Sequence, residues 1–361
     1  MNKQIIKIIA SCMILTFIVF LVACSRTTDI PTAVSVPPSP TVAPTANIAP
    51  SLEPTPTDTP TPTPTPDLRI AVDRKNFPDS TFRNYILDHF DSDYDNMVSS
   101  DDLGVMFLDV SDRGIEDLTG IEYFPYLHNL NCSKNHLKQL DVSGIARLDV
   151  LDCSDNPDLT SVTLGDNVES IERLNCNNTN FSLDTFQCKH LIELHSRQSG
   201  LKRLEFRASS PLEILDCNNA SLSISGCKQL RTIDCTNCNL LNSSSFDFSF
   251  PELTKLNIFE TNIIDFDLSE CPKLNTLDVT SNQLGTFRAK GLDFLRQATV
   301  TANALYGEPL KATADFANCK NLKSLSVYGF KSVNVSGCTN LTEGFFSYDW
   351  EYTKVTGFKG R

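Results

Sequence analysis

From residue 106 onward, apolar and polar positions follow one recurring figure: an apolar residue, two variable ones, an apolar–polar–apolar triplet, and another apolar residue five positions later. LHNLNCSKNHL (127–137), LDVLDCSDNPDL (148–159), IERLNCNNTNF (171–181), LEILDCNNASL (212–222) and LNTLDVTSNQL (274–284) are five of ten copies. The anchors Leu130, Leu151, Leu174, Leu194, Leu215, Ile233, Leu256, Leu277, Ala298 and Leu325 recur mostly every 20 to 23 residues. The triplet has period two, so each copy predicts a short strand with one buried face. One such strand cannot stand alone, but copies stacked in phase form a parallel sheet over a continuous core. Asn135, Asn156, Asn282 and Asn303 recur just past the strand, where a side-chain amide can satisfy backbone groups that a tight turn leaves unpaired. A second apolar cluster follows in many copies, as LDVS (140–143), FDLS (266–269) and VNVS (333–336). It is too short for a helix and predicts extended or turn-like segments on the opposite side.

This spacing resembles the LxxLxLxxN/CxL pattern of leucine-rich repeats. The resemblance implies a leucine-rich repeat solenoid of about ten to eleven repeats over residues 106–343. It would be α/β or mainly β, with a parallel β-sheet on one face and short extended or turn segments on the other. The register also accounts for most of the 13 cysteines. Cys132, Cys153, Cys176, Cys217 and Cys235 occupy the small apolar strand position, and Cys188, Cys227, Cys271, Cys319 and Cys338 sit three residues before the leucine that precedes a strand, Leu191, Leu230, Leu274, Leu322 and Leu341. Two ladders of small buried hydrophobes are expected, a role free cysteine fills well, rather than disulfides. Cys238 completes a CxxC with Cys235 but falls on the turn position. A structural zinc site is not expected, since ladder cysteines belong to different rungs.

The first 23 residues carry two lysines, then an apolar run and a small residue before Cys24, the layout of a secretion signal. Leu21-Val22-Ala23-Cys24 resembles a bacterial lipobox. That resemblance implies lipidation of Cys24 and anchorage of the chain on the extracellular face of a bacterial membrane. An uncleaved anchor or an ordinary signal peptide shares the layout, and either also places the remainder outside the cytoplasm. Acyl chains contribute about 0.8 kcal/mol per buried methylene, so a multiply acylated N-terminus is a durable tether. Residues 24–67 are dominated by Pro, Thr, Ala and Ser and end in a Pro-Thr run, a composition that does not close a core. At ~3.1 Å per residue in polyproline II such a stalk spans on the order of 100 Å. The net charge of −13 argues against nucleic acid and against adhesion to an anionic lipid surface.

Residues 68–105 form a distinct unit. FPDSTFRNYILDHF (77–90) spaces Phe82, Tyr85, Ile86 and Phe90 as a helix with Asp79 or Ser80 as N-cap. DSDYDNMVSSDD (91–102) follows, and SSDDLGVMFL predicts a brief second helix. The whole resembles an EF-hand, which implies calcium held by Asp91, Asp93, Asp95, the Met97 carbonyl, Ser99 and Asp102. Two departures stand out: Asn96 replaces the usual glycine and Asp102 the longer glutamate. A helical EF-hand-like cap followed by repeats is similar to internalin-like surface proteins, which implies that the unit covers the open end of the first strand.

No HExxH, GxSxG or glycine-rich phosphate loop occurs, and the reading is non-catalytic. The exposed strand positions are polar and weakly acidic, except for Arg197, Phe259 and Tyr328, with His195 nearby. Aromatic and arginine side chains dominate interface energetics. These four are therefore the candidate residues for a protein ligand on the exposed sheet face, with glycan or cell-wall binding as the alternative. Residues 344–361, with the one tryptophan Trp350, lack a repeat partner and read as a tail or a second cap.

Overall fold

The computed structural model describes residues 69–240, 248–261, 263–281, 284–302, 312–346 and 353–358. Cys24, the stalk, Asn282, Asn303 and Trp350 lie outside the described residues.

Repeats stack as the alternation requires. Twelve strands, from Phe107–Asp109 to Glu343–Phe346, lie parallel in one sheet in sequence order. Their anchors pair across the ladder, as in Leu130 with Leu151 and Leu256 with Leu277. Each anchor is buried, and the residue two positions on, apolar in every copy but that of Ser196, is buried with it. The second clusters also form strands. Gln139–Asp141 pairs with Ser161–Thr163, while Asp265–Asp267 and Ser332–Asn334 belong to a five-stranded parallel sheet on the opposite side. The fold is therefore a mainly β leucine-rich repeat solenoid, with helix confined to short pieces. Between its two sheets runs an aromatic spine that the sequence pattern did not single out. Phe248, Phe266, Phe287 and Phe316 contact in succession, with ring centroids 4.1, 5.7 and 5.4 Å apart.

The asparagine column does what its chemistry allows. The Asn135 amide donates to Val110 O at 2.9 Å and Cys132 O at 3.0 Å, and accepts from Ile115 N at 3.0 Å. It thus ties its own rung to the one before. The residue just ahead of the column takes a left-handed conformation in eight rungs, Asp112, Lys134, Asp155, Asn178, Gln198, Asn219, Asn237 and Glu260, with φ between 52 and 55°. The corner is built from one conformation used again and again. Further along, Thr179 and Ser199 replace asparagine, and each hydroxyl donates to the carbonyl three residues back, at 2.6 and 2.9 Å.

At the N-terminal end a helix, α1, runs over Ser80–Phe90, with Asp79 accepting from the Thr81 and Phe82 N–H groups at 2.8 and 2.9 Å. It docks on the first repeat through Phe90 against Phe124, 5.5 Å between centroids, and through Arg113 over the Tyr85 ring at 4.5 Å. Gly120 lets this approach happen: at φ 106°, a Cβ there would lie 2.3 Å from the Phe77 ring. The second helix expected over residues 99–108 does not form. A single turn closes through Leu103 N–Ser99 O at 3.1 Å and Gly104 N–Asp101 O at 3.2 Å, and the chain then enters the first strand. Gly104 and β-branched Val105 give poor helix propagation there, and the sheet claims Phe107–Asp109.

The C-terminal segment continues the array. Glu343–Phe346 pairs with Ser324–Val327 in the large sheet, and Lys354–Thr356 pairs with Ser332–Asn334 in the five-stranded one. Gly344 stands opposite Leu325, in the slot of an anchor, which is why this rung has no visible partner in the sequence. Phe358 packs edge-on against buried Phe346 at 5.0 Å.

Candidate functional site

The outer surface of the large sheet is a set of rows, because strands paired in register place equivalent side chains side by side about 4.8 Å apart. The central row reads Asp152, Asn175, His195, Asp216, Asp234, Asn257, Asp278. Like charges this close repel, and the row manages them by interleaving. Asn175 donates to Asp152 at 3.0 Å, and Asn257 donates to both oxygens of Asp234 at 3.2 Å. Arg197, one row over, bridges the directly opposed pair, with Nε donating to Asp216 and Nη2 to Asp234. His195 Nδ1 lies 3.4 Å from Asp216 Oδ2. The hydrogen bond to that carboxylate raises the His195 pKa from its usual value, against the opposing effect of burial.

The row is not satisfied throughout. Asn257 Oδ1 and Asp278 Oδ1 are buried atoms with no hydrogen-bond partner among the described residues. Burial, and then the Asp234 charge, hold the Asp278 carboxyl above the usual carboxylate range. Two neighbouring acceptors at one end of the row thus lack a donor, which a ligand could supply.

The structure places the four predicted contact residues on this face but does not gather them. His195 and Arg197 are joined through Asp216. The guanidinium is committed within the chain, so Arg197 is a structural bridge more than a free interface arginine. Phe259 is half-buried, Tyr328 is 43% exposed, and the row between them reads Phe259, Thr280, Thr301, Tyr328. Three strand spacings put the two rings roughly 14 Å apart. Two positions in the same row as Arg197 and Phe259, which the alternation places outward, are not on the surface. Ser133 and Ser154 are 7% and 6% exposed and donate to Asn131 and Asp152. Two exposed aromatics escaped the pattern: Phe345, opposite Ser326, and Phe107, on the first strand. Phe345 was hidden by the glycine in its rung's anchor slot. Phe107 precedes its anchor, in a position occupied by many residue types.

In the acidic loop, carboxylate oxygens of Asp91, Asp93 and Asp95 lie within 4.8 Å of one another. Asn96 takes the left-handed conformation that glycine usually supplies, with φ 61°. Asp91 accepts from the N–H groups of Asp95 at 3.2 Å and Asn96 at 3.0 Å, and Met97 N–H donates to Asp95 at 2.9 Å. These groups fit the first part of a calcium loop. Asp102 and Ser99 are arranged differently. Asp102 Oδ2 accepts from Ser99 N at 2.8 Å and Ser99 Oγ at 2.7 Å, which lowers its pKa. With a side chain one methylene shorter than glutamate and no second helix behind it, Asp102 caps its own turn. Arg69 meanwhile forms an ion pair with Asp95.

Eleven described cysteines are free, ten of them buried, with the second ladder donating from Cys271, Cys319 and Cys338 to carbonyls of the preceding rung at 2.9 to 3.1 Å. Burial pushes the Cys132 and Cys153 thiols well up. Ladder cysteines on successive rungs do meet, as Cys319 does with Cys338, and at one place three come together. Cys217 Sγ lies 3.4 Å from Cys235 Sγ and 3.7 Å from Cys238 Sγ.

No protein-family model matches the chain, and no curated protein sequence matches it either. Among solved structures it is similar to the functional domain of InlJ from Listeria monocytogenes, which includes a cysteine ladder. The likeness has 23% identity and a TM-score of 0.56, and covers 77% of this chain and 61% of that one. The internalin InlF of the same organism gives 17% identity, a TM-score of 0.51, and 80% and 94% coverage. The chain therefore spans less than two thirds of the InlJ domain, and what it shares with both is the fold, an internalin-like leucine-rich repeat solenoid.

Proposed function

We propose that this chain is a membrane-tethered extracellular repeat protein that binds a protein ligand, without catalysis, on the outer face of its large sheet. The observation that carries the reading is the pair of donorless acceptors, Asn257 Oδ1 and Asp278 Oδ1, next to the row that holds Phe259 and Tyr328. Lysine or arginine on a ligand would satisfy the carboxylate while apolar side chains cover the rings. A protein reaches both over such a span, whereas aromatics that stack on sugar rings usually act from one compact site. The tether rests on the lipobox-like Cys24 and the Pro-Thr stalk.

The test is capture from surface-protein extracts with the full chain, in parallel with a glycan array. A protein ligand should be retained, released by salt, and bound at least tenfold more weakly by Asp278→Asn. Undiminished binding by Phe259→Ala/Tyr328→Ala would sink the site, and retention of glycans alone would sink the protein reading.

Calcium in the acidic loop would be held by Asp91, Asp93 and Asp95. The motivating observation is their convergence. Its effect would be to stiffen the cap against the first repeat, with an affinity suited to extracellular levels of ~0.1–1 mM.

A further inference from the structure

The repeat accounts for each of three thiols separately, but not for their meeting. Cys217 and Cys235 are register partners in the strand position of successive rungs. Cys238 stands in the turn column, three residues after Cys235, where other rungs carry Asn135, Asn156, Thr179, Ser199 and Ala220. A side chain in that column leans back on the preceding rung, as Asn156 does when it donates to Cys132 O at 3.1 Å. A cysteine there is delivered to the strand cysteine of the rung before, and Cys238 meets Cys217 in this way at 3.7 Å. Both strand neighbours and the turn residue being cysteine occurs at this one place among the described rungs.

All three sulfurs lie within 4.8 Å of one another, and no histidine or carboxylate among the described residues joins the group. An ion about 2.3 Å from each of three thiolates, at the centre of their triangle, holds them about 4 Å apart. The Cys217–Cys235 and Cys217–Cys238 spacings, 3.4 and 3.7 Å, need to open by only a few tenths of an ångström. Thiolates suit both zinc and monovalent copper, but structural zinc takes four ligands in a tetrahedron, and three soft sulfurs without a fourth donor among the described residues fit copper(I). We propose that Cys217, Cys235 and Cys238 form a trigonal thiolate site for copper(I), buried between two rungs of the solenoid.

Protonation is compatible with uptake. Hydrogen bonds from Cys217 and Cys235 lower the Cys238 thiol from its usual value, against the opposing effect of burial. The Cys217 and Cys235 thiols are held above the usual range, Cys235 by its hydrogen bonds to Cys217 and Cys238 and then by burial. Binding displaces to solvent whatever protons the three thiols carry, and the metal replaces the hydrogen bonds among them as the common partner of all three sulfurs. Arg197, already held by Asp216 and Asp234, would link this site to the outer face.

The experiment titrates the reduced full chain anaerobically with copper(I) against the chelator bathocuproine disulfonate. The unmodified chain should hold one more copper than Cys238→Ser, with an ultraviolet thiolate-to-copper band that this variant lacks, and should show at least tenfold tighter retention. Serine is native to the column at Ser199, and circular dichroism verifies that the variant folds. Cys153→Ser/Cys176→Ser, which alters a ladder pair outside the triad, should keep the site. Equal copper in the unmodified chain and Cys238→Ser would overturn the proposal. So would preferential loading of zinc, or an intact mass two hydrogens short, mapping a Cys217–Cys235 disulfide that refuses copper.

Discussion

Asn156→Ala tests the idea that the turn column bolts rung to rung. Asn156 is fully buried, and its amide makes four hydrogen bonds. Oδ1 accepts from Leu137 N at 3.1 Å, while Nδ2 donates to Cys132 O at 3.1 Å, Cys153 O at 3.0 Å and Ser154 O at 3.2 Å. Truncation leaves the buried Leu137 N–H without an acceptor, which costs roughly 1–3 kcal/mol. The two Nδ2 hydrogens are shared among the three carbonyls, so two donors are lost, each worth about 0.5–1 kcal/mol. The sum is about 3–4 kcal/mol, at the upper end for a single substitution. Asn156→Thr restores one donor, as Thr179 does naturally, and should recover about half. Two measurements check this: urea unfolding of the full chain, and hydrogen exchange of the Leu137 amide. The second matters because a long array need not unfold as one unit. A loss under about 1 kcal/mol, or Leu137 protection unchanged in Asn156→Ala, would refute the reasoning.

Two further outcomes are expected. Calcium at about 1 mM should raise the melting temperature of the chain by a few degrees, and Asp93→Asn should remove the rise. An identical melting curve with calcium and with chelator would show that the loop is a cap alone. The second concerns pH. Asp216 raises the His195 pKa, so the pair stabilises the fold fully below the unfolded imidazole value of about 6.5 and loses that contribution as pH rises through the higher folded value. The stability deficit of Asp216→Asn should therefore be larger at about pH 5 than at about pH 8. A deficit independent of pH would leave Arg197 as the sole partner that counts for Asp216.

What was legible in the sequence follows from how far each interaction reaches along the chain. Strand, turn and ladder were readable because their cause repeats locally: Leu130, Cys132 and Asn135 carry the pattern within six residues. Stacking in register then follows from the period. The expected second helix failed where local propensity met the sheet at Phe107, and the final rung was hidden because Gly344 carries no apolar side chain to mark its anchor. The face itself required the cross-strand register. Arg197 looks like an interface arginine on its own strand, and becomes an internal bridge once Asp216 and Asp234 are seen to stand on the next two. The cysteine triad lies one step further out, since it depends on the turn residue of one rung leaning on the strand residue of the rung before. Once Asn156 shows that lean, Cys217 and Cys238, 21 residues apart, can be read from the sequence as neighbours.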